Sequence, residues 1–339
     1  MKTFGKSKFF LCLFLTLLLL GAGPGSDEPP AGQAMIWKQP ATSAQNLDLF
    51  WGSGSEAGKP VGPFVYDGED SMGTNPKVFV RDQRGVRWGV KFGDEVHSEV
   101  AGSRFLWAAG YRTHEVYFVP QGTIQGMPDS PSRPAQIEKG SGKFTNARFK
   151  KRTVEAGVAK VEDRFTWWDW NDNPFVGTKE LSGLILMNVL TSNFDTATTN
   201  NMVQTVYYRN GRIENWYMIG DIGGVFGQTG GMRRNKWSLK HYAKEPFIKK
   251  VTEHEVKLHH AGGSMKHFQS VPLEHAQWLY GIIGGLQPAQ VQAAFRAAYS
   301  DVPSTSLANP QDEAMVQGFA AAFDKRMQEL RAAVYDSVW

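Results

Sequence analysis

Residues 82–110 constrain the fold more than any other stretch. Val86-Arg87-Trp88-Gly89-Val90-Lys91-Phe92 is a β-prone run entered from the turn Asp82-Gln83-Arg84-Gly85. Immediately beyond it, Val96, Val100, Ala101, Phe105, Leu106 and Ala109 recur at helical spacing and stop at Gly110, with Asp94 as the expected cap. Lys91 therefore ends a strand, and Glu99 stands on the next helix. A carboxylate so placed can orient a strand lysine through a charge-assisted hydrogen bond. The same two residues also fit an ordinary surface ion pair, worth about 0–1 kcal/mol.

Upstream, Phe64-Val65-Tyr66 and Val78-Phe79-Val80-Arg81 read as strands joined by Ser71-Met72-Gly73-Thr74-Asn75-Pro76-Lys77. Hydroxyls and backbone N–H groups around Ser71, Gly73 and Thr74 could cradle phosphate, or the loop is a plain hairpin turn. Downstream, Val116–Val119 is a further strand, and residues 121–152 turn polar and Gly-, Ser- and Pro-containing, as a long loop would. The basic run Arg148-Phe149-Lys150-Lys151-Arg152 falls at its end and reads as solvated. The Trp167-Trp168-Asp169-Trp170 cluster then marks a boundary, packed between two halves or stacked on a sugar.

In the second half, Leu181, Leu184, Ile185, Met187, Asn188 and Leu190 fit a helix that is apolar on most sides and hence buried. Asp195 follows it, with Asn200 five positions on. Residues 203–208 and 213–219 are strands hinged at Asn210-Gly211, a strong hairpin signal. The second strand delivers Asp221 into Ile222-Gly223-Gly224-Val225-Phe226-Gly227, where the chain must turn sharply. A carboxylate, an amide oxygen and nucleotide phosphates would suffice for Mg²⁺; equally, Asp221 could simply cap a glycine turn. His254, His259, His260 and His267 read as scattered surface histidines on and near a half-exposed strand. Helices are expected over 273–285, 288–299 and 311–334.

The first residues look like a secretory signal. Lys2, Lys6 and Lys8 precede the twelve-residue run Phe9–Leu20 and the small residues Gly21-Ala22-Gly23. Residues 1–23 are read as the signal and 24–34 as a disordered leader, with export to the periplasm or the extracellular space. The run falls short of the roughly 20 residues of a membrane span, so no stable span is expected once it is removed. The chain's one cysteine, Cys12, would be removed with it. The 37 Lys and Arg residues, three of them in the signal, stand against 33 Asp and Glu, so the charge suggests no nucleic-acid partner.

The order strand lysine, helix glutamate, buried helix, Asp-x₄-Asn, hairpin and Asp-x-Gly resembles the protein-kinase-like superfamily in its atypical branches: HipA-type kinases, phosphatidylinositol kinases and the secreted kinases of the secretory pathway. It is more closely similar to a group of exported bacterial proteins of the same layout. The resemblance runs over about residues 60–330 and implies an α+β, bilobal kinase-like fold. Residues 35–170 would form a β-rich N-lobe and 171–339 a mainly helical C-lobe. It implies binding of ATP and Mg²⁺: Lys91 on the phosphates, Glu99 holding it, Asp195 orienting or deprotonating an acceptor of unspecified class, and Asn200 and Asp221 on the metal. Position 197 is alanine where relatives carry a lysine, no His-Arg precedes Asp195, and the glycine-rich loop is reduced. Those departures leave two further readings: a nucleotide- or ligand-binding scaffold of the pseudokinase kind, and a non-enzymatic glycan- or partner-binding envelope protein.

Overall fold

The computed structural model describes residues 30–69, 77–128, 137–152, 157–164, 168–230 and 235–336. The expected signal (1–23), the leader up to residue 29, Trp167, and Ser71, Gly73 and Thr74 of the expected phosphate loop lie outside these residues. Among the described residues no helix is long and apolar enough to cross a membrane.

The described chain opens on a short strand, β1 (Gln33–Met35), so Gln33 and Ala34 are ordered pairing residues rather than leader. Five strands follow in two groups around a helix: β2 (Phe64–Glu69), β3 (Lys77–Arg81), β4 (Arg87–Lys91), then α1 (Val96–Ala108), β5 (Val116–Gln125) and β6 (Lys143–Lys151). They close a barrel in the order β2-β3-β4-β6-β5, with the parallel pair β2–β5 completing it. Both ends of the segment expected as a loop at 121–152 are thus strand, 121–125 in β5 and 143–151 in β6. Phe144, Ala147 and Phe149 point into the barrel core with Trp88 and Val90, and the period-two alternation that would announce a strand is broken between Phe144 and Ala147, where Asn146 takes φ +53°. The charged residues between them, Arg148 and Lys150, are also buried, because α1 covers that face. The basic run at 148–152 is therefore mainly an interior strand and not a solvated loop.

β7 (Val158–Arg164) leads to α2 (Lys179–Leu190), then the hairpin β8 (Asn201–Tyr208) and β9 (Ile213–Ile219). These strands form a second sheet in the order β1-β9-β8-β7, with β1 parallel to β9. Strand pairing therefore crosses residue 170, since β1 and β7 come from the first half and β8 and β9 from the second. Gly211 takes φ +86° in the hairpin turn, a conformation that favours glycine.

A third sheet, β10 (Ile248–Val251), β11 (Glu255–Leu258) and β12 (Ser270–Pro272), follows the one-turn helix α3 (Leu239–Tyr242). The chain ends in α4 (Leu273–Ile283), α5 (Pro288–Arg296) and α6 (Pro310–Arg331). One apolar core joins α1, α2 and these helices, with Phe105, Leu190, Phe226, Phe295 and Phe319 all at most 1% exposed. The result is a mixed α/β fold, strand-rich early and helix-rich late.

α2 begins at Thr178, whose side chain accepts the Leu181 N–H. Its far end is closed from a distance: the buried Arg326 of α6 donates to the carbonyls of Val189 and Leu190 at 3.1 and 3.0 Å. A guanidinium there satisfies carbonyls that the helix leaves open and complements its negative end.

Candidate active site

The site is built where β4, α1, the end of α2 and the end of the β8–β9 hairpin meet. Lys91 belongs to the outer face of the barrel, across from Arg148 in the β4–β6 register, and that face is roofed by α1. Its ammonium lies 2.8 Å from Glu99 Oε2, 2.9 Å from Glu95 Oε2 and 3.3 Å from Asp221 Oδ2. Lys91 and Glu99, 1% and 2% exposed, are thus a buried pair rather than a surface one. Burial alone would lower the Lys91 pKa, but Glu99 and Asp221 outweigh it and hold the ammonium above the usual lysine range.

Glu99 is shared among three cations. Besides Lys91, Arg148 Nη2 lies 3.1 Å from Oε2 and Lys150 Nζ 3.4 Å from Oε1. Burial would raise its pKa; Arg148, Lys91 and Lys150 together hold it well below the ordinary carboxyl range. Arg148 is further fixed by donating to Gly89 O at 3.0 Å, and Lys150 donates to Gly220 O at 3.4 Å, just before Asp221. Neither residue was singled out from the sequence. The usable signal was alternation: with Phe149 facing inward across from Val90, its neighbours must face α1.

Helix α1 starts at Glu95 rather than at the expected cap Asp94, and the Glu95 side chain makes no capping bond. It reaches Lys91 instead, and with its other oxygen Lys236, at 2.5 Å. The i, i+4 spacing from Lys91 was the readable hint. Ser98 Oγ donates to Gly223 O at 2.7 Å, tying the helix to the turn after β9. A side chain at Gly223 would put its Cβ 2.9 Å from Glu95 Oε2 and would have to displace the Glu95 side chain.

Asp221 leaves β9 half-exposed. Its Oδ1 accepts the Gly223 N–H at 2.9 Å, while Oδ2 faces Lys91. Burial raises its pKa, and Lys91 more than reverses this, leaving the carboxyl below its ordinary value. Asn200 is its neighbour across the hairpin: Gly220 N–H donates to Asn200 O at 2.7 Å. The two residues expected on a metal therefore share one end of the hairpin. Among the described residues no three His, Cys, Asp or Glu side chains form a metal-binding group. A carboxylate beside an amide, both hard oxygen donors, suits Mg²⁺ completed by phosphate oxygens and water.

Asp195 sits on the loop after α2. Its backbone N–H donates to Asn193 Oδ1 at 3.1 Å, and Asn200 Nδ2 donates to its carbonyl at 3.1 Å. The loop is laced to the Asp221 turn, with Phe194 N–H on Gly224 O at 3.1 Å and Phe226 N–H on Thr191 O at 2.7 Å. A Cβ at Gly224 would lie 2.9 Å from Asp195 Cβ. Burial and then the Asp221 charge raise the Asp195 pKa. The two carboxyls of the site are thus displaced in opposite directions, Asp195 up and Asp221 down. A cleft of about 590 Å³, lined by Gly93, Asp94, His97, Phe194, Lys236 and Trp237 among others, opens beside this centre.

The other sequence features are structural. Trp168 and Trp170 are interior, donating to Met218 O and Thr196 O at 3.2 and 3.0 Å and so bracing the hairpin and the Asp195 loop. His260 is buried at 2% exposure beside Thr196, 3.3 Å from its hydroxyl, which corrects the expectation of a surface histidine at that position, while His254 is exposed and His259 and His267 are half-buried. β11 turns inward on alternate residues and carries the following chain into the core.

Lys150 supplies a pH test. Burial, opposed by Glu99, pulls its pKa down to about 8, against an ordinary 10.5. Between those values the unfolded chain holds a proton that the folded one has released, so this group makes stability rise with pH. Urea unfolding at pH 7, 8.5 and 9.5 should show that rise in the unmutated protein and lose it in Lys150→Met. A parallel rise in both would assign the effect elsewhere.

Compared with solved structures, the chain is similar to kinases. These are the Helicobacter pylori proinflammatory kinase CtkA (TM-score 0.46, 9% identity, 81% of this chain and 98% of that one) and the Golgi casein kinase with Mn/ADP bound (0.41, 9%, 81% and 72%). A further Golgi casein kinase structure gives 0.40, 8%, 82% and 74%. No family model matches the chain, and no curated protein matches it in sequence.

Proposed function

We propose that this protein is an atypical kinase-like phosphotransferase that binds ATP with Mg²⁺ and passes a phosphoryl group to an acceptor hydroxyl. The observation that carries this reading is Lys91, held at 2.8 Å from Glu99 and 3.3 Å from Asp221, with the Asp195 loop hydrogen-bonded to the same turn. Phosphoryl transfer asks little covalent chemistry of a protein and much positioning and charge neutralisation. Lys91 supplies the fixed cation and Glu99 keeps it aimed. Asp221 and Asn200 are the residues that would hold Mg²⁺, whose chemistry there is to neutralise phosphate charge. Asp195, with its raised pKa, would orient or deprotonate the acceptor hydroxyl. Lys236 is close enough to Asp195 to act on its charge and supplies a cation that Ala197 does not. Ser71, Gly73 and Thr74 remain the proposed phosphate loop, and export remains the proposed destination.

A scaffold without useful transfer is the second reading, favoured by Ala197. Nucleotides with and without Mg²⁺, screened by thermal shift, test the shared part of both, since a ligand that binds only the folded state raises its melting temperature. ATP with Mg²⁺ should raise it, and Asp221→Ala should retain only the metal-independent part. No shift with any nucleotide, or an Asp221→Ala protein that responds normally to Mg²⁺, would sink the site assignment.

A further inference from the structure

We infer that the cavity beside Arg104 is a binding site for a small monovalent anion of chloride's size, separate from the nucleotide site. Arg104 stands on α1 one turn beyond Glu99 and is 2% exposed. Its Nη2 donates to Val116 O at 2.8 Å and Nη1 reaches Ser103 Oγ at 3.5 Å, while Nε has no partner among the described residues. The carboxylates that feel its charge are engaged elsewhere. Asp48 Oδ1 accepts the N–H groups of Phe50 and Trp51, and Glu115 takes Lys151 at 2.8 Å and the Tyr117 hydroxyl. A guanidinium stays charged, and a buried charge left without a counter-ion is costly.

The space beside it is built, not incidental. The cavity holds about 30 Å³, where a single water needs roughly 10–15 Å³. Its lining mixes apolar Phe118 and Ala297 with Tyr117, Ser300 and Asp301, and Lys59 lines it as a second cation, about 30% exposed and 3.9 Å from Asp301. Gly52 closes the loop over Arg104: at φ +59° its Cβ would fall 2.5 Å from Arg104 Cδ. Arg104 and Lys59 against the one carboxylate of Asp301 leave the lining with a net positive charge, which a monovalent anion neutralises and a water does not. The burial that lowers Arg104 to about 10 is the cost such an anion would relieve. Bound there, it would pin the far half of α1 between β5 and the end of α5, on the helix that carries Glu99.

Thermal melting of the intact protein in sodium chloride, bromide and gluconate at matched ionic strength tests this without any nucleotide. Chloride and bromide should raise the melting temperature by about 2–4 °C over gluconate once tenfold above half-saturation. Lys59→Met, a partly exposed change that leaves the core intact, should raise the half-saturating concentration several-fold, and Arg104→Met should remove the halide response. Crystals grown in bromide should show an anomalous peak beside Arg104, which decides the matter even if Arg104→Met fails to fold. Equal melting in all three salts, or no bromide peak in the cavity, would mean an ordered water only and overturn the assignment.

Discussion

Replacing Glu99 with alanine is expected to destabilise the protein by about 3–5 kcal/mol, the cost typical of removing one partner from a buried ion cluster. Three cations converge on that one carboxylate, and Lys91, Arg148 and Lys150 are each at most 8% exposed, so none can turn to water without moving the backbone. Glu99→Gln keeps the shape and loses the charge, and should fall close to the alanine variant if charge is what matters. Acid should reproduce the effect. The folded carboxyl is held well below 4.5, so its contribution is complete above that value and is lost as pH falls below it. Chemical denaturation of the three proteins at neutral pH is the measurement, and a loss under about 1 kcal/mol would mean that the cluster contributes little net stability.

Asp195→Ala should leave nucleotide affinity nearly unchanged and cut phosphoryl transfer by about 10²–10⁴-fold, the usual range for a general base. Asp195 packs against Gly224 of the turn, whereas Asp221 contacts Lys91 directly. Because burial and Asp221 raise its pKa, the transfer rate should climb with pH on the acid side as Asp195 loses its proton. Calorimetric nucleotide affinity beside phosphate release or autophosphorylation separates the two roles. A large loss of affinity in Asp195→Ala would remove the acceptor role, and an unmutated protein that turns over no nucleotide would favour the scaffold reading.

The parts of the site legible in the sequence were those announced by local pattern. Lys91 and Glu99 were set by a strand running into a helix, and the hairpin was set by Asn210-Gly211. Asp221 was marked by the glycines after it, which let the turn approach Glu95 and Asp195. What stayed hidden was long-range. Arg148 and Lys150 meet Glu99 from 49 and 51 positions away, inside a run whose composition reads as solvent-facing. β1 finds β9 across the whole first half of the chain, and no local signal encodes a partner at that distance. Glu95 stands at the start of α1, and its contacts with Lys91 and Lys236 are what give it a place in the site.

Arg326 gives the last long helix a reach that its position in the chain disguises. Its guanidinium holds the carbonyls of Val189 and Leu190 with one nitrogen and those of Tyr242 and Glu245 with the other, so two chain reversals, also joined by the Tyr242 hydroxyl donating to Leu190 O, hang from one strut. The first of those reversals launches the loop to Asp195; the second fixes the backbone after α3, downstream of Lys236. α6 therefore braces the chain on both sides of the cleft at once, through Arg326 at the end of α2 and through Phe319, whose ring lies 4.4 Å from that of Trp237 in the cleft lining.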